Sequence, residues 1–198
     1  MTKGWQSNES TPSDDESDES LLPQLARGGE AAFLTLYRRR QASIYRYAFH
    51  LSQDAEVAAE AVQETFMALL AAAGKLQSER GPVLAWLFAV ARNQVLRQLA
   101  ARQRHLSFDV DDGPEPAAAS GNVLDDLEQA QLLERLREAI ATLPVAYREV
   151  LVLCDMEGLA YESAAAALGC PVGTVRSRLH RARSLLAEKV RPAVRCTP

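Results

Sequence analysis

Apolar residues recur along most of this chain with a helical period, and polar stretches break the pattern at a few defined places. "AAFLTLYRRRQASIYRYAFHL" puts Phe33, Leu36 and Tyr37, then Ile44, Tyr47 and Ala48, at i, i+3, i+4 steps. "DAEVAAEAVQETFMALLAAA" follows, with Asp54 as a candidate N-cap. Its expected core stripe is Ala55, Ala59, Val62, Phe66, Leu69 and Ala73. Residues 75–82, "KLQSERGP", read as a loop from their Gly-Pro punctuation. A third helix, "VLAWLFAVARNQVLRQLAARQR", runs to about Arg104. The period then lapses through "HLSFDVDDGPEPAAASGNVLDD" and resumes near Leu127. Leu132, Leu136, Ile140 and Leu143 form one stripe, ended by Pro144, and Tyr147, Val150, Leu151 and Cys154 form the next. A short Ala-rich helix, a Gly-Cys-Pro break and a last helix complete the pattern, with Val175, Leu179, Ala182 and Leu186 on one face.

No stretch alternates with a period of two, so the expected fold is all-α. The lapse at 105–126 divides it into two small helical domains, an N-terminal helical bundle over 21–104 and a C-terminal helix-turn-helix domain over 127–198. An acidic flexible linker joins them. Residues 1–20, rich in Ser, Asp, Glu and Pro, read as a disordered acidic tail. The length of 198 residues suits two small domains, and 47% apolar residues suffice for two cores.

Charge sharpens this division. The chain is net −4, yet residues 21–104 are net +5 and residues 129–198 net +3. The acids concentrate in residues 1–20, net −5, and in residues 105–128, which carry seven acids and no base. Two basic helical blocks are separated by one acidic segment and preceded by another. Balancing charge for solubility explains this equally with two anion-binding modules on an acidic tether.

The last helix favours the second explanation. From Gly173 to Leu186 it holds four arginines, one histidine and no acid. With its apolar face inward, Arg176, Ser177, His180, Arg181 and Arg183 are left to face out. The Ala-rich helix before it has small residues for close packing, and Gly169 suits the left-handed turn between them. In a helix-turn-helix the second helix enters the DNA major groove, where arginine bonds guanine or clamps phosphate. The alternative is an ordinary solvated basic helix.

Two further faces have competing readings. Glu60, Gln63, Glu64 and Met67 lie opposite the apolar stripe of the second helix, as plain solvent surface or as a docking face. Trp86, Asn93, Arg97 and Arg104 return to one side of the third helix. An aromatic beside amide and guanidinium groups suits unstacked bases, although a lone Trp in "LAWLF" also reads as core. Cys154, Cys170 and Cys196 form no CxxC pair or Cys/His cluster, so neither a disulfide framework nor a zinc site is supported. No metal-ligand spacing, phosphate loop or nucleophile–base pair appears. The residues imply no cofactor and no enzymatic chemistry. Nothing in the first twenty residues has the apolar core of a secretory signal, and no run approaches the ~20 residues of a membrane span. A cytoplasmic setting is expected.

These segments resemble bacterial RNA polymerase sigma factors of the extracytoplasmic-function group. "VLAWLFAVARNQVLRQL" is similar to the family's promoter-melting stretch. "LPVAYREVLVLCDMEGLAYESAAAALGCPVGTVRSRLHRAR" is similar to its C-terminal domain signature. The resemblance implies a factor that binds core RNA polymerase and directs promoter recognition, usually held in check by an anti-sigma factor. It implies that Glu60, Gln63 and Glu64 dock on the coiled-coil clamp of the polymerase largest subunit. It implies that Trp86, Asn93 and Arg97 open the −10 element, and that Arg176, Ser177, His180 and Arg181 contact the −35 element. Two positions depart from the family pattern: Ala59 replaces one of an acidic pair, and Leu70 stands where an aromatic is usual. A stand-alone helix-turn-helix regulator, the rival reading, leaves "VQETF" and "AWLFAVARN" without purpose.

Overall fold

A computed structural model describes residues 17–76, 82–106 and 124–190, and all of the account below concerns these residues. They form eight α-helices, one π-helical turn and no strand.

Helix α1, Asp18–Ala26, begins inside the segment expected to be a disordered tail. Ser17 caps it, its hydroxyl accepting from the Ser20 N–H at 3.3 Å, and Asp18 and Glu19 sit in the first turn, where the helix dipole favours acids. Two of the acids that suggested a solvated tail, Asp18 and Glu19, are therefore N-terminal helix residues. Leu21, Leu22 and Leu25 then bury the helix. Asp18 is buried against the guanidinium groups of Arg39 and Arg40, and the Glu19 carboxylate accepts from the Val83 N–H.

Helices α2, Glu30–Ser52, α3, Ala55–Ala72, and α4, Val83–Leu106, pack around Leu36, Ile44, Tyr47, Phe66, Leu69, Leu87 and Phe88. The Asp54 carboxylate caps α3 by accepting from the N–H groups of Glu56 and Val57 at 2.8 and 3.0 Å. The first turns of α3 correct the expected stripe: Val57, Ala58 and Ala61 are buried, whereas Ala55 and Ala59 are exposed. In a helix this rich in alanine, alanine carries no directional signal. Val57 and Val62 set the face instead.

The second unit holds α5, Leu124–Ala141, α6, Val145–Leu151, a π turn, Val152–Met156, α7, Tyr161–Leu168, and α8, Val172–Val190. Both ends of the linker expected at 105–126 are helical, because α4 continues to Leu106 and α5 starts at Leu124. Most of that linker lies outside the described residues. The α7–α8 turn follows from Gly169 at φ 64, ψ 38, with the Cys170 N–H bonded to the Ala165 carbonyl at 3.1 Å. Ala164, Ala165 and Ala167 are buried against Val175, Leu179 and Ala182, as small residues at a close helix crossing require.

The two units touch. Helix α4 packs on α7, and α2 meets α5, α6 and the π turn. Charged side chains pair across this junction. Arg92 of α4 donates to Glu149 of α6 at 2.5 and 3.3 Å. Arg46 of α2 donates to Glu157 at 2.8 and 2.9 Å.

Candidate nucleic-acid and protein interfaces

The α8 face is laid out by its burial pattern. Val175, Leu179 and Ala182 point into the core, so Arg176, Ser177, His180 and Arg181 are exposed together on the first turns after the Gly169 break. Local contacts order part of this face. The Arg176 guanidinium lies 5.8 Å from the centre of the Tyr161 ring on α7, and the Ser177 hydroxyl donates to the Thr174 carbonyl at 3.1 Å. Arg183, also expected to face out, is committed elsewhere. It grips Asp155 of the π turn through two bonds of 2.9 and 2.6 Å, which raise its pKa further. Arg183 therefore clasps α8 to the π turn, with its side chain still 55% exposed.

Helix α4 places Asn93 and Arg97 one turn apart, both exposed, with Arg97 donating to Gln94 at 2.7 Å. Trp86 is partly withdrawn: it is half-buried and packed against the hydrophobic core. The side chain thus packs on the core and keeps part of its surface open. The side chain of Arg104 lies outside the described residues.

On α3, Glu60 and Gln63 are exposed and Glu64 is half-buried. The same face continues into Met67 and Leu70, which are 55% and 52% exposed. Two large apolar side chains beside an amide and two acids make a surface suited to a protein partner. The structure keeps the three faces on three separate helices and does not merge them into one site.

No pair among the described cysteines is bonded. Burial pushes the Cys154 thiol up to about 11, which keeps it protonated and unreactive near neutral pH. Cys196 lies outside the described residues. Among the described residues, no cluster of His, Cys, Asp and Glu could hold a metal ion.

The groups that sequence reasoning missed sit between the units: Arg46, Arg92, Arg148, Glu149 and Glu157. Two of them carried a faint signal. Glu149 interrupts the apolar "YREVLVL", and Arg92 interrupts "FAVARNQV". A charge inside an apolar stripe implies a buried partner, but nothing local identifies it.

Comparison with known proteins covers both units. The Sigma-70 region 2 family model matches residues 36–105, and the Sigma-70 region 4 model matches residues 133–186. The chain is 35% identical over 188 residues to the ECF RNA polymerase sigma factor SigC of Mycobacterium tuberculosis, covering 92% of this chain and 96% of the relative. It is 34% identical over 188 residues to the ECF RNA polymerase sigma-E factor of Escherichia coli, covering 90% and 96%. A solved structure of the sigma factor RpoE in complex with the anti-sigma factor NepR from Bartonella quintana is similar, with a TM-score of 0.67 and 27% identity, covering 81% of this chain and 98% of that one. So is CnrH in complex with the cytosolic domain of CnrY, with a TM-score of 0.64 and 25% identity, covering 87% and 96%.

Proposed function

The chain belongs to the ECF group of RNA polymerase sigma factors, and we propose that it divides the family's work among the three faces described above. A sigma factor is not an enzyme. It binds core RNA polymerase and gives it promoter specificity. The α3 face of Glu60, Gln63 and Glu64, extended by Met67 and Leu70, docks on the clamp of the polymerase largest subunit. Asn93 and Arg97 of α4, with the outer edge of Trp86, meet the opened −10 strand. Arg176, Ser177, His180 and Arg181 meet the −35 duplex. The two units, over 21–104 and 127–198, carry the −10 and −35 roles respectively.

The observation that carries this division is the burial pattern of α8. It buries three apolar residues and presents arginine, serine and histidine in the first turns beyond a helix-turn-helix break, where such helices meet base edges. The Bartonella relative is solved with an anti-sigma factor, which supports an anti-sigma factor as this chain's negative regulator. No helix among the described residues is long and apolar enough to cross a membrane. The cytoplasm, where polymerase and promoter meet, is the proposed location.

Site-directed photocrosslinking tests the division. A crosslinker at Gln63 is expected to capture the largest polymerase subunit. One at Asn93 is expected to capture −10 DNA, and one at His180 the −35 duplex. Captured partners in any other order overturn the assignment.

A further inference from the structure

Helix α4 meets the −10 strand in the division above, and its start is capped from another helix. Pro82, the residue before it, has no side-chain oxygen to act as a cap, although its carbonyl accepts from the N–H groups of Ala85 and Trp86 at 3.0 and 3.3 Å. The first turn of α4 carries no acid. Val83 is buried, at 3% exposure, and a buried N–H without a partner costs free energy. The partner comes from 64 positions away: the Glu19 carboxylate of α1 accepts from the Val83 N–H at 3.1 Å. Glu19 also lies in the first turn of α1, so one carboxylate faces the positive starts of two helices. Asp18 beside it fixes where α1 begins. Its side chain is 4% exposed and accepts from Arg40 at 2.5 Å and from Arg39 at 3.5 Å, both on α2. Leu21, Leu22 and Leu25 bury the apolar face of α1.

We propose that Glu19 is a positioning residue for −10 recognition: it holds the first turn of α4, and through it Trp86, in line with Asn93 and Arg97. The part that concerns DNA rests on the −10 reading of α4. Trp86 follows Val83 by about one helical turn, and Asn93 and Arg97 return to the same side of the helix farther along. Helix ends fray before helix middles. The middle of α4 is anchored by Leu87, Phe88, Ala91 and Val95, all buried. Loss of the Glu19 cap therefore leaves Asn93 and Arg97 where they are and frees the turn that carries Trp86. Glu19 itself touches no DNA in this account. It acts by keeping the aromatic and the polar groups of one stripe on one side of one helix.

Trp5→Phe leaves Trp86 as the only tryptophan of the full chain. In that background Glu19→Ala is expected to shift Trp86 emission to the red and open it to acrylamide quenching. Glu19→Gln keeps an acceptor at the same reach and is expected to match the parent. Glu19→Asp keeps the charge but is one methylene short, and is expected to behave as the alanine variant does. Each chain is then combined with core polymerase, and transcription is compared across a −10 and a −35 substitution series of one promoter. Glu19→Ala and Glu19→Asp are expected to shrink discrimination among −10 sequences roughly tenfold, within the range of a lost helix cap, and to leave −35 preference unchanged. Lost stability alone would lower output from every promoter alike and leave both preferences intact. Asn93→Ala is the control for the −10 reading itself. Unshifted Trp86 emission in Glu19→Ala, or a Glu19→Asp chain that matches the parent, would overturn the cap. Shifted emission with −10 preference intact would overturn the positioning role, and the −10 reading of α4 would stand if Asn93→Ala still flattens that preference. A −10 preference that Asn93→Ala also leaves unmoved would overturn that reading, and the proposal with it.

Discussion

Arg176 and Arg183 are two arginines on one helix, seven residues apart, with different fates. Sequence placed both on the outward face and both are exposed, but their contacts differ: Arg183 is tied to Asp155, while Arg176 leans on the Tyr161 ring. The partner that decides this, Asp155, sits in a π turn that no hydrophobic period reveals. Position on a helix face was legible from spacing; commitment to an intramolecular partner was not. For the exposed pair Arg176 and Arg181, the expected outcome of alanine substitution depends on what each one meets. Loss of a base contact costs ~1–3 kcal/mol and relaxes preference at one −35 position. Loss of a phosphate contact weakens all sequences alike and lowers the salt slope by ~1. Binding assays of the holoenzyme on a −35 substitution series, at several salt concentrations, separate the two. Unchanged affinity and preference in the double variant would remove both residues from the interface.

Single elements were read more reliably than their edges. The run from Asp54 to Ala73 showed its cap and its Phe66 and Leu69 stripe in the sequence, and both are present in α3. Its alanines misled, because an alanine fits either face. The two sides of α3 are expected to respond in opposite ways. Gln63→Ala with Glu64→Ala should leave helicity and melting nearly unchanged, since alanine is the best helix former. The same change should weaken core polymerase binding by roughly tenfold or more, ~1.4 kcal/mol. Phe66→Ala should cost about 3–5 kcal/mol of stability, because Phe66 is buried and makes edge contacts with the Phe33 and Tyr37 rings. Thermal melts beside a core-binding titration check both halves, and a double variant that melts early would place Gln63 or Glu64 in the fold. On α4, substitution of Asn93 or Arg97 should impair transcription from duplex promoters more than from templates melted in advance around −10. Equal loss on both templates would argue against strand opening.

At the scale of the whole molecule, the all-α class and the division into two units were legible because a helical period lapses where acids, glycine and proline gather. Each half announced its own apolar faces. The closed junction was not legible, because it pairs residues about 57 to 111 positions apart, and no local period encodes such a pairing.

The most direct test is transcription itself. Purified chain, core RNA polymerase and fragmented genomic DNA are combined, and the 5′ ends of the transcripts are mapped. The chain is predicted to direct initiation at a small set of sites that share −10 and −35 sequences, only when core enzyme is present. Each component alone should give no such transcripts. If the chain instead shifts specific duplexes by itself and leaves the start sites of core polymerase unchanged, it is a stand-alone DNA-binding regulator and the division of labour proposed here is wrong.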